Sequence, residues 1–428
     1  MKASRLLMYK ASSPMSYLPS RKPNGPIFGK EDFNNMIDLH HERFYENRYE
    51  KLMIPYEVHE IEPDSMPLYV KNVAKRLKDN GFEAYLCGGT VRDLLQNVTV
   101  SDYDIVTDAS NEDLKKIFDT IAFHSIPTGH EMGYIVFGQE MLDVCTMTNV
   151  PSCYQGIQHL PAFDPKSLYS KDLLFDALQR DFTINALYYD LKTGNIIDWA
   201  GGLYDLREGI IRSMVLAENE FRYDPRKLLR AIRFKARFGF EFSEDVERVI
   251  KEQGKSLLKN ISPYGVSKNL PDMFFGGYTR SSTKYLLQYD LFEILFPDTA
   301  SMCKNVSYQK YAMKVAYVVD WLYDEGCVGL PLLAMSALLW PTVERYYKSG
   351  YGMEEAAAKI LESQRKIMSM TDEEADFMYN ALLIDEMDDE RSIVERLDSI
   401  FGPPEFEDAL GVLRLNYVRH RIEMSELI

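Results

Sequence analysis

The residues with the most chemical potential lie in Leu86-Cys87-Gly88-Gly89-Thr90-Val91-Arg92-Asp93, followed by Asp102-Tyr103-Asp104. A diglycine opens a phosphate-sized turn. Two carboxylates then appear one residue apart in a run rich in β-branched residues. In a strand, residues i and i+2 share a face, so Asp102 and Asp104 project together while Tyr103 points away. Paired oxygen ligands beside a glycine turn suit Mg2+ carrying a nucleoside triphosphate. A third acid, Asp143, sits in Leu142-Asp143-Val144, flanked by apolar residues as a mid-strand position is. A carboxylate there is costly unless paired or metal-bound. Three carboxylates on adjacent strands can hold two ions, one activating an attacking hydroxyl and one steadying a leaving pyrophosphate. Taken alone, Asp-x-Asp reads as a surface turn; the glycine pair upstream and the acid downstream reverse that reading. Gly88 and Gly89 can then offer backbone N–H groups to phosphate oxygens at a strand-to-helix turn, and Arg92 can neutralise the same anion. The alternative is a tight turn with an Arg92–Asp93 surface pair.

These side chains need a scaffold. The spacing predicts an amphipathic helix over 64–81, with Leu68, Val70, Val73 and Leu77 apolar and Lys71, Lys75 and Lys78 exposed. A strand over 83–87, a helix over 91–95, a strand over 102–107 and a helix over 111–118 follow. Segments 134–137 and 141–147 read as a hairpin about Gly138-Gln139. Residues 1–60 show little pattern and read as an arm. The mixed sheet with its helices ends near residue 212. Beyond it, 224–252, 260–275, 280–294, 308–323, 330–347, 353–368 and 372–382 carry helical spacing or helix-forming composition, so the second half is expected to be all helical.

Composition sets outer bounds. The chain has 428 residues, of which 46% are hydrophobic, enough for two or three domains with cores. No apolar run reaches the roughly 18 residues of a membrane span. Cys87, Cys145, Cys153, Cys303 and Cys327 form no CxxC pair and read as reduced thiols of a cytoplasmic protein. A net charge of −16 argues against a general nucleic-acid coat but not against a local basic groove. The first thirty residues carry basic side chains and no acid, as a flexible arm or an organellar transit segment does. Arg226, Arg230, Arg233 and Arg237 line one face of a helix beside an apolar stripe of Leu229, Ile232 and Ala236. That basic face suits RNA phosphate or a triphosphate, or else a solvated surface paired with neighbouring acids.

The order GG-x-VRD, DxD, then Arg180-Asp181-Phe182-Thr183-Ile184-Asn185-Ala186-Leu187 resembles the class II RNA nucleotidyltransferases, which comprise the CCA-adding enzymes and bacterial poly(A) polymerases. Asp198-Trp199-Ala200-Gly201-Gly202-Leu203-Tyr204-Asp205-Leu206 is similar to that family's D-x-x-GG-x-x-DL element, and 230–240 to its neck helix. The resemblance covers roughly residues 80–240. It implies an α/β nucleotidyltransferase head over 61–212, a helical neck binding nucleotide and RNA over 213–276, and a helical, RNA-binding body and tail over 277–428. It implies Asp102, Asp104 and Asp143 as catalytic ligands of two Mg2+ ions, with Mn2+ as a substitute. Gly88, Gly89 and Arg92 would meet the triphosphate. Arg180, Asp181 and Asn185 would contact the nucleotide and its sugar. Asp224, Lys227, Arg230 and Arg233 would read the base and bind phosphate.

The chain departs from the family pattern at Gln179-Arg180, where the family pairs two arginines. Its neck motif EDxxR appears as Tyr223-Asp224-Pro225-Arg226-Lys227. Lysine is a point charge where arginine is a planar fork, so base selection is the property most exposed to the change. Flanking segments 54–59, 291–297 and 330–340 resemble the poly(A) polymerase branch, while Thr128-Gly129-His130-Glu131-Met132-Gly133 is similar to a TG-x-x-x-G element of CCA-adding enzymes. The expectation is a polynucleotide adenylyltransferase acting on the 3′ end of an mRNA, small RNA or tRNA with ATP. CCA addition is the alternative activity, and a degenerate, non-catalytic RNA-binding protein the alternative outside enzymes.

Overall fold

The β-branched run at Tyr103–Thr107 forms an inner strand of an eight-stranded sheet. The computed structural model describes residues 28, 30–46, 50–100, 102–125, 131–137, 140–147, 173–324 and 330–383. The strands are β1 (Leu52–Ile54), β2 (Ala84–Cys87), β3 (Tyr103–Thr107), β4 (Ile121–Ser125), β5 (Glu131–Phe137), β6 (Glu140–Thr146), β7 (Leu187–Asp190) and β8 (Ile196–Asp198). Their order is β1-β8-β7-β2-β3-β6-β5-β4. Among these neighbours only β3 and β6 run parallel.

The register explains how the sheet presents its acids. Asp104 pairs with Asp143 and Val106 with Cys145 across β3 and β6. Because side chains alternate, these four residues share one face. Further along that face Cys87, Val106 and Tyr188 are buried under Leu173 and Ala177 of the helix Leu173–Gln179. The carboxylates therefore stand at the margin of an apolar cluster that fixes their strands. The opposite face holds Tyr103, whose ring meets Tyr69 edge-on at 6.3 Å. Tyr69 belongs to the helix Leu68–Asp79, which buries Val70, Val73, Ala74 and Leu77. Leu68, expected on that apolar face, is instead 69% exposed at the helix start.

Several expectations change. Segment 260–275 is the short helix Pro263–Ser267 and the 3-10 turn Pro271–Phe274, and 280–294 is Thr279–Gln288 followed by Phe292–Leu295. The arm gives way to structure at residue 31: the helix Glu31–Glu46 buries Phe33 and Ile37, and β1 extends the sheet beside β8. The helix expected over 224–252 is broken. Arg226–Phe238 ends at Gly239, whose φ of +65° terminates it in the left-handed region. A strand β10 (Glu241–Phe242) then pairs with β9 (Ile210–Ile211) before the helix Glu244–Leu258. The described chain forms two compact units. Residues 21–223 with 241–246 make the sheet-bearing head, and 224–240 with the residues from 247 onward make the helical unit. The helical unit contains Thr279–Gln288, Val306–Asp324, Leu330–Lys348, Met353–Ile367 and Asp372–Leu383, as the spacing predicts. The basic N-terminal segment, Gly138-Gln139, Cys153, Cys327 and the residues after 383 lie outside the described residues.

One ion pair ties the sheet to its flanking helix. Lys78 Nζ lies 2.6 Å from Asp190 Oδ1, with both side chains mostly buried. Burial pushes the Asp190 carboxyl up, but Lys78, the Lys192 N–H and the Thr193 hydroxyl outweigh it and hold its pKa below the ordinary value. A depressed folded-state pKa gives stability that is present above the unfolded value and lost as pH falls through the folded one. Asp190→Asn should therefore cost about 2 kcal/mol at pH 7. Urea unfolding should show that difference shrinking as pH falls below about 4.

Candidate active site

The site is built around the turn from β2 into the helix Gly89–Leu95. Gly88 has φ +67° and ψ −132°, a conformation that a side chain disfavours. Space forbids one as well. A Cβ there would stand 3.1 Å from Arg180 Nη1 and 3.8 Å from Asp104 Oδ2. The glycine turn, Arg180 and Asp104 thus share one small volume. The Gly88 N–H is spent on the Leu187 carbonyl at 3.2 Å. Anion-binding capacity at this turn accordingly begins with Gly89, at the helix start, where N–H groups have no acceptor within the helix.

Thr90 locks the acidic strand to this turn. Its hydroxyl donates to the Asp102 carbonyl at 3.0 Å and accepts from the Asp104 N–H at 3.0 Å. Sequence reasoning passed over Thr90, although it lies inside the glycine motif. Asp102 sits one residue before β3 and is exposed, while Asp104 is partly covered. The Asp104 carboxyl is pushed up to about 7, chiefly by burial and then by the charge of Asp143. Asp102 pushes the same way, and Arg180 and Arg92 oppose it. Two carboxylates in register with a third nearby, together raising the proton affinity of Asp104, make a hard-oxygen donor set that a divalent cation would relieve. The expected three-way convergence is only partly met. Among the described residues no three Asp, Glu, His or Cys side chains form a ready-made metal site. Asp104 and Asp143 are the register-matched pair, and Asp102 stands at the strand mouth. Mg2+ commonly takes one or two carboxylates and completes its shell with substrate phosphate and water.

The basic residues divide by role. Arg92 is only 4% exposed. Its guanidinium donates to Asp93 Oδ1 at 2.9 Å and Asn185 Oδ1 at 2.6 Å. Asn185 in turn donates to Asp181 Oδ1 at 2.8 Å, which also accepts the Phe182 N–H. The Arg92–Asp93 pair, a surface contact in the alternative reading, is buried, and through Asn185 Arg92 joins the glycine helix to the Arg180–Leu187 motif. Arg180 is the more open cation. It donates through Nε and Nη2 to Asp176 Oδ2 at 3.0 and 2.8 Å, and Tyr188 donates to the same oxygen at 2.7 Å. Burial works against the Arg180 charge, but Asp176 outweighs it and raises its pKa above the ordinary value. Asp176 is a further positioning residue, legible only as the i,i+4 partner of Arg180. Cys87 is no nucleophile: burial pushes its thiol up to about 12.

The D-x-x-GG-x-x-DL element supports the site from beneath. Asp198 accepts the N–H groups of Ala200, Gly202 and Leu203 at 2.8, 3.1 and 2.8 Å, starting the helix Gly202–Glu208. Asp205 accepts the Thr183 hydroxyl at 2.6 Å and Arg212 Nε at 2.9 Å.

In the helical unit, Leu229, Ile232 and Ala236 form the expected buried stripe. Arg230 and Arg233 lie over the Phe234 ring, and Arg233 pairs with Asp272. Asp224 is gripped by Arg226, with Nε to Oδ1 at 2.7 Å and Nη2 to Oδ2 at 2.8 Å. Lys227 is 8% exposed. The residue in fork-to-fork contact with Asp224 is therefore Arg226, which the sequence reading placed on the basic face only.

Residues 84–212 match the poly A polymerase head domain, and residues 239–303 match a probable RNA and SrmB-binding site of polymerase A. Over these segments the chain is similar to the class II RNA nucleotidyltransferases. It is 32% identical over 250 residues to poly(A) polymerase I of Escherichia coli O157:H7, covering 57% of this chain and 53% of that protein. It is 35% identical over 245 residues to a CCA-adding enzyme of Lactobacillus helveticus, covering 56% and 58%. The chain thus spans about half the length of the curated relatives it matches. The Thermotoga maritima CCA-adding enzyme complexed with tRNA shares the fold, with a TM-score of 0.56 at 21% identity over 88% of this chain and 85% of that one. A CCA-adding enzyme in complex with ATP aligns at a TM-score of 0.58 and 21% identity, over 88% and 84%. The mixed-sheet head followed by a mostly helical remainder is the expected architecture. Among the described residues no helix is long and apolar enough to cross a membrane.

Proposed function

We propose that the chain is a template-independent RNA 3′-terminal nucleotidyltransferase that transfers AMP from ATP. The observation that carries this is the Asp104–Asp143 register pair beside the Gly88 turn, with Arg180 Nη1 and the Asp104 carboxylate both close to that turn. Asp104 and Asp143, with Asp102 at the strand mouth, would hold two Mg2+ ions, or Mn2+ in their place. The bound cations would neutralise triphosphate charge and lower the cost of deprotonating the attacking hydroxyl. The RNA 3′-oxygen attacks the α-phosphorus in line, loses its proton and displaces pyrophosphate. Gly89 and the N–H groups after it receive phosphate oxygens, and Arg180 offsets their charge. Arg92, Asn185 and Asp181 hold the two motifs in register with one another. The sheet-bearing head, wider than the expected 61–212 because it takes in β1, would carry this chemistry; the neck over 213–276 and a body and tail over 277–428 would bind RNA, with Asp224, Lys227, Arg230 and Arg233 meeting base and phosphate from the neck.

CCA addition is the second reading, favoured by the Lactobacillus relative and the shared fold. Purified protein incubated with a short RNA, Mg2+ and each nucleoside triphosphate separately tests both. A ladder with ATP alone supports adenylation. On tRNA lacking its 3′ end, two C and one A followed by a stop supports CCA addition. No Mg2+-dependent extension on any RNA removes the catalytic reading and leaves a degenerate binding protein.

Base selection gives a sharper test. Arg226 sets the Asp224 carboxylate by a bidentate contact, so Arg226→Ala should leave that acceptor unfixed. The ratio of kcat/KM for ATP over CTP should then fall roughly tenfold. An unchanged ratio would remove Arg226 from nucleotide selection.

A further inference from the structure

The helix Glu31–Glu46 precedes the segment that matches the head domain, residues 84–212, and it carries two adjoining stripes. Phe33, Ile37 and His40 are buried, at the spacing of one helical face. Asn34, Asp38 and His41 repeat that spacing one residue on, and they meet the outer side of the helix Gly202–Glu208. Arg207 donates through Nη1 to the Asn34 carbonyl at 3.5 Å and to its Oδ1 at 3.4 Å, and through Nη2 to an Asp38 carboxylate oxygen. The His41 ring lies parallel to the Tyr204 ring, with centroids 3.4 Å apart, and the Arg207 guanidinium lies 5.3 Å from the centre of the same tyrosine ring. Asn34 is tied back in turn, donating to the Phe28 carbonyl at 2.7 Å. All of these contacts are directional. A purely apolar face would cover the helix Gly202–Glu208 and let it slide, whereas an ion pair, an amide and a ring stack fix its rotation and its axial position.

The inner side of that helix faces the Arg180–Leu187 motif. Its seven residues make about two turns, too few to hold a helix without its neighbours. Tyr204 and Arg207 meet Glu31–Glu46, while Gly202, Leu203, Asp205 and Leu206 are buried. Asp205 accepts the Thr183 hydroxyl at 2.6 Å, and Gly202 lies directly against the Thr183 carbonyl. Two residues on, Asn185 bonds both Asp181 and Arg92. A continuous path of contacts thus runs from Asp38 through Arg207 and the helix Gly202–Glu208 to the turn Thr183–Asn185.

We propose that the helix Glu31–Glu46 is a clamp that sets the Thr183–Asn185 turn for the incoming nucleotide, with Asp38 and Asn34 as positioning residues acting through Arg207. This rests on the reading that the Arg180–Leu187 motif serves the nucleoside triphosphate. It gives a segment far from the carboxylates a part in how tightly that substrate is held.

Hydrogen exchange reads the path with neither nucleotide nor metal present, so it separates from the catalytic reading. In the full chain, peptides spanning 180–187 should exchange roughly fivefold faster in Asp38→Ala and in Arg207→Met than in wild type. Asp38→Asn keeps an acceptor oxygen toward Arg207 and should restore most of the protection. Glu42→Ala, on the exposed side of the same helix, should match wild type. In primer extension well below the melting transition, Asp38→Ala and Arg207→Met should raise the KM for ATP roughly fivefold and leave the KM for RNA unchanged. The double variant should be no worse than Arg207→Met alone, because both changes cut one path. A lowered Tm with wild-type exchange over 180–187 and an unchanged KM for ATP would overturn the proposal, since the helix would then only cover its neighbour. Equal effects of Asp38→Ala and Glu42→Ala would overturn it as well. If Arg207→Met does not fold, Asp38→Ala and Asn34→Ala carry the same comparison. Faster exchange over 180–187 in these variants of a chain that extends no RNA would overturn the catalytic reading and leave the positioning of the turn standing.

Discussion

Replacing Asp104 by asparagine is expected to reduce nucleotide incorporation roughly a thousandfold while leaving the head as stable as before, or more so. The two halves of this expectation share one cause. Asp104 faces Asp143 across β3 and β6, with Asp102 close enough to add to the repulsion. Its carboxyl, ordinarily at 3.8, is pushed up to about 7 by burial and by those charges. A raised folded-state pKa means that the ionised form opposes folding. The penalty is absent below the unfolded value, grows through the interval between the two values, and is complete above the folded one. Asparagine keeps the shape and removes that charge. In chelator-treated protein its Tm should exceed the wild-type Tm at pH 8, and the difference should vanish near pH 4. Incorporation should fail at every pH, because an amide cannot supply the anionic oxygen that a divalent cation needs. Single-turnover extension and thermal melts check the two halves separately. A variant that extends RNA normally would remove Asp104 from the chemistry. One that melts far below wild type at pH 8 would show that the carboxylate is a structural acceptor instead.

The pairing of Asp104 with Asp143 shows what a sequence reading can and cannot reach. Alternation in Tyr103–Thr107 and the apolar flanks of Asp143 were enough to place both acids on strands. Parallel pairing of β3 with β6 was not legible, because it depends on β4 and β5 lying outside β6 in the sheet order. The chemistry-bearing residue types were found because they are rare in apolar runs. Their supports were missed because Thr90 and Asp176 are ordinary in their local settings and act only through folded contacts. Arg92 shows a second limit. Its charge and position point to a phosphate ligand, and the fold adds buried contacts to Asp93 and Asn185 that nothing local announces. Helices were easier to read than the sheet, since their signal is local. The break at Gly239 escaped because amphipathic spacing continues through it, while the strand β10 that follows is held by β9, some thirty residues earlier in the chain.

The largest structural effect is expected at Gly202, a buried residue at the start of the helix Gly202–Glu208. A Cβ there would lie 2.2 Å from the Thr183 carbonyl oxygen and 2.9 Å from its carbon. Both are backbone atoms, so no side chain can swing aside. Thr183 is itself held from two sides, its N–H by the Arg212 carbonyl at 2.9 Å and its hydroxyl by Asp205 at 2.6 Å. The Gly202 N–H is held by Asp198, whose carboxylate is fully buried. Neither partner can retreat without breaking a buried hydrogen bond, so Gly202→Ala should cost about 3 kcal/mol or more. The same displacement would move Thr183 and the adjoining Asn185, and with them the Arg92 network that joins the motif to the glycine turn. At a temperature where the variant is still folded, activity should therefore fall further than the folded fraction does. Gly201→Ala serves as the control. Gly201 occupies the left-handed region at φ +72°, so its substitution carries a backbone strain of about 1 kcal/mol. Equal destabilisation of the two variants would show that the close approach to Thr183 is not what the second glycine of this element provides.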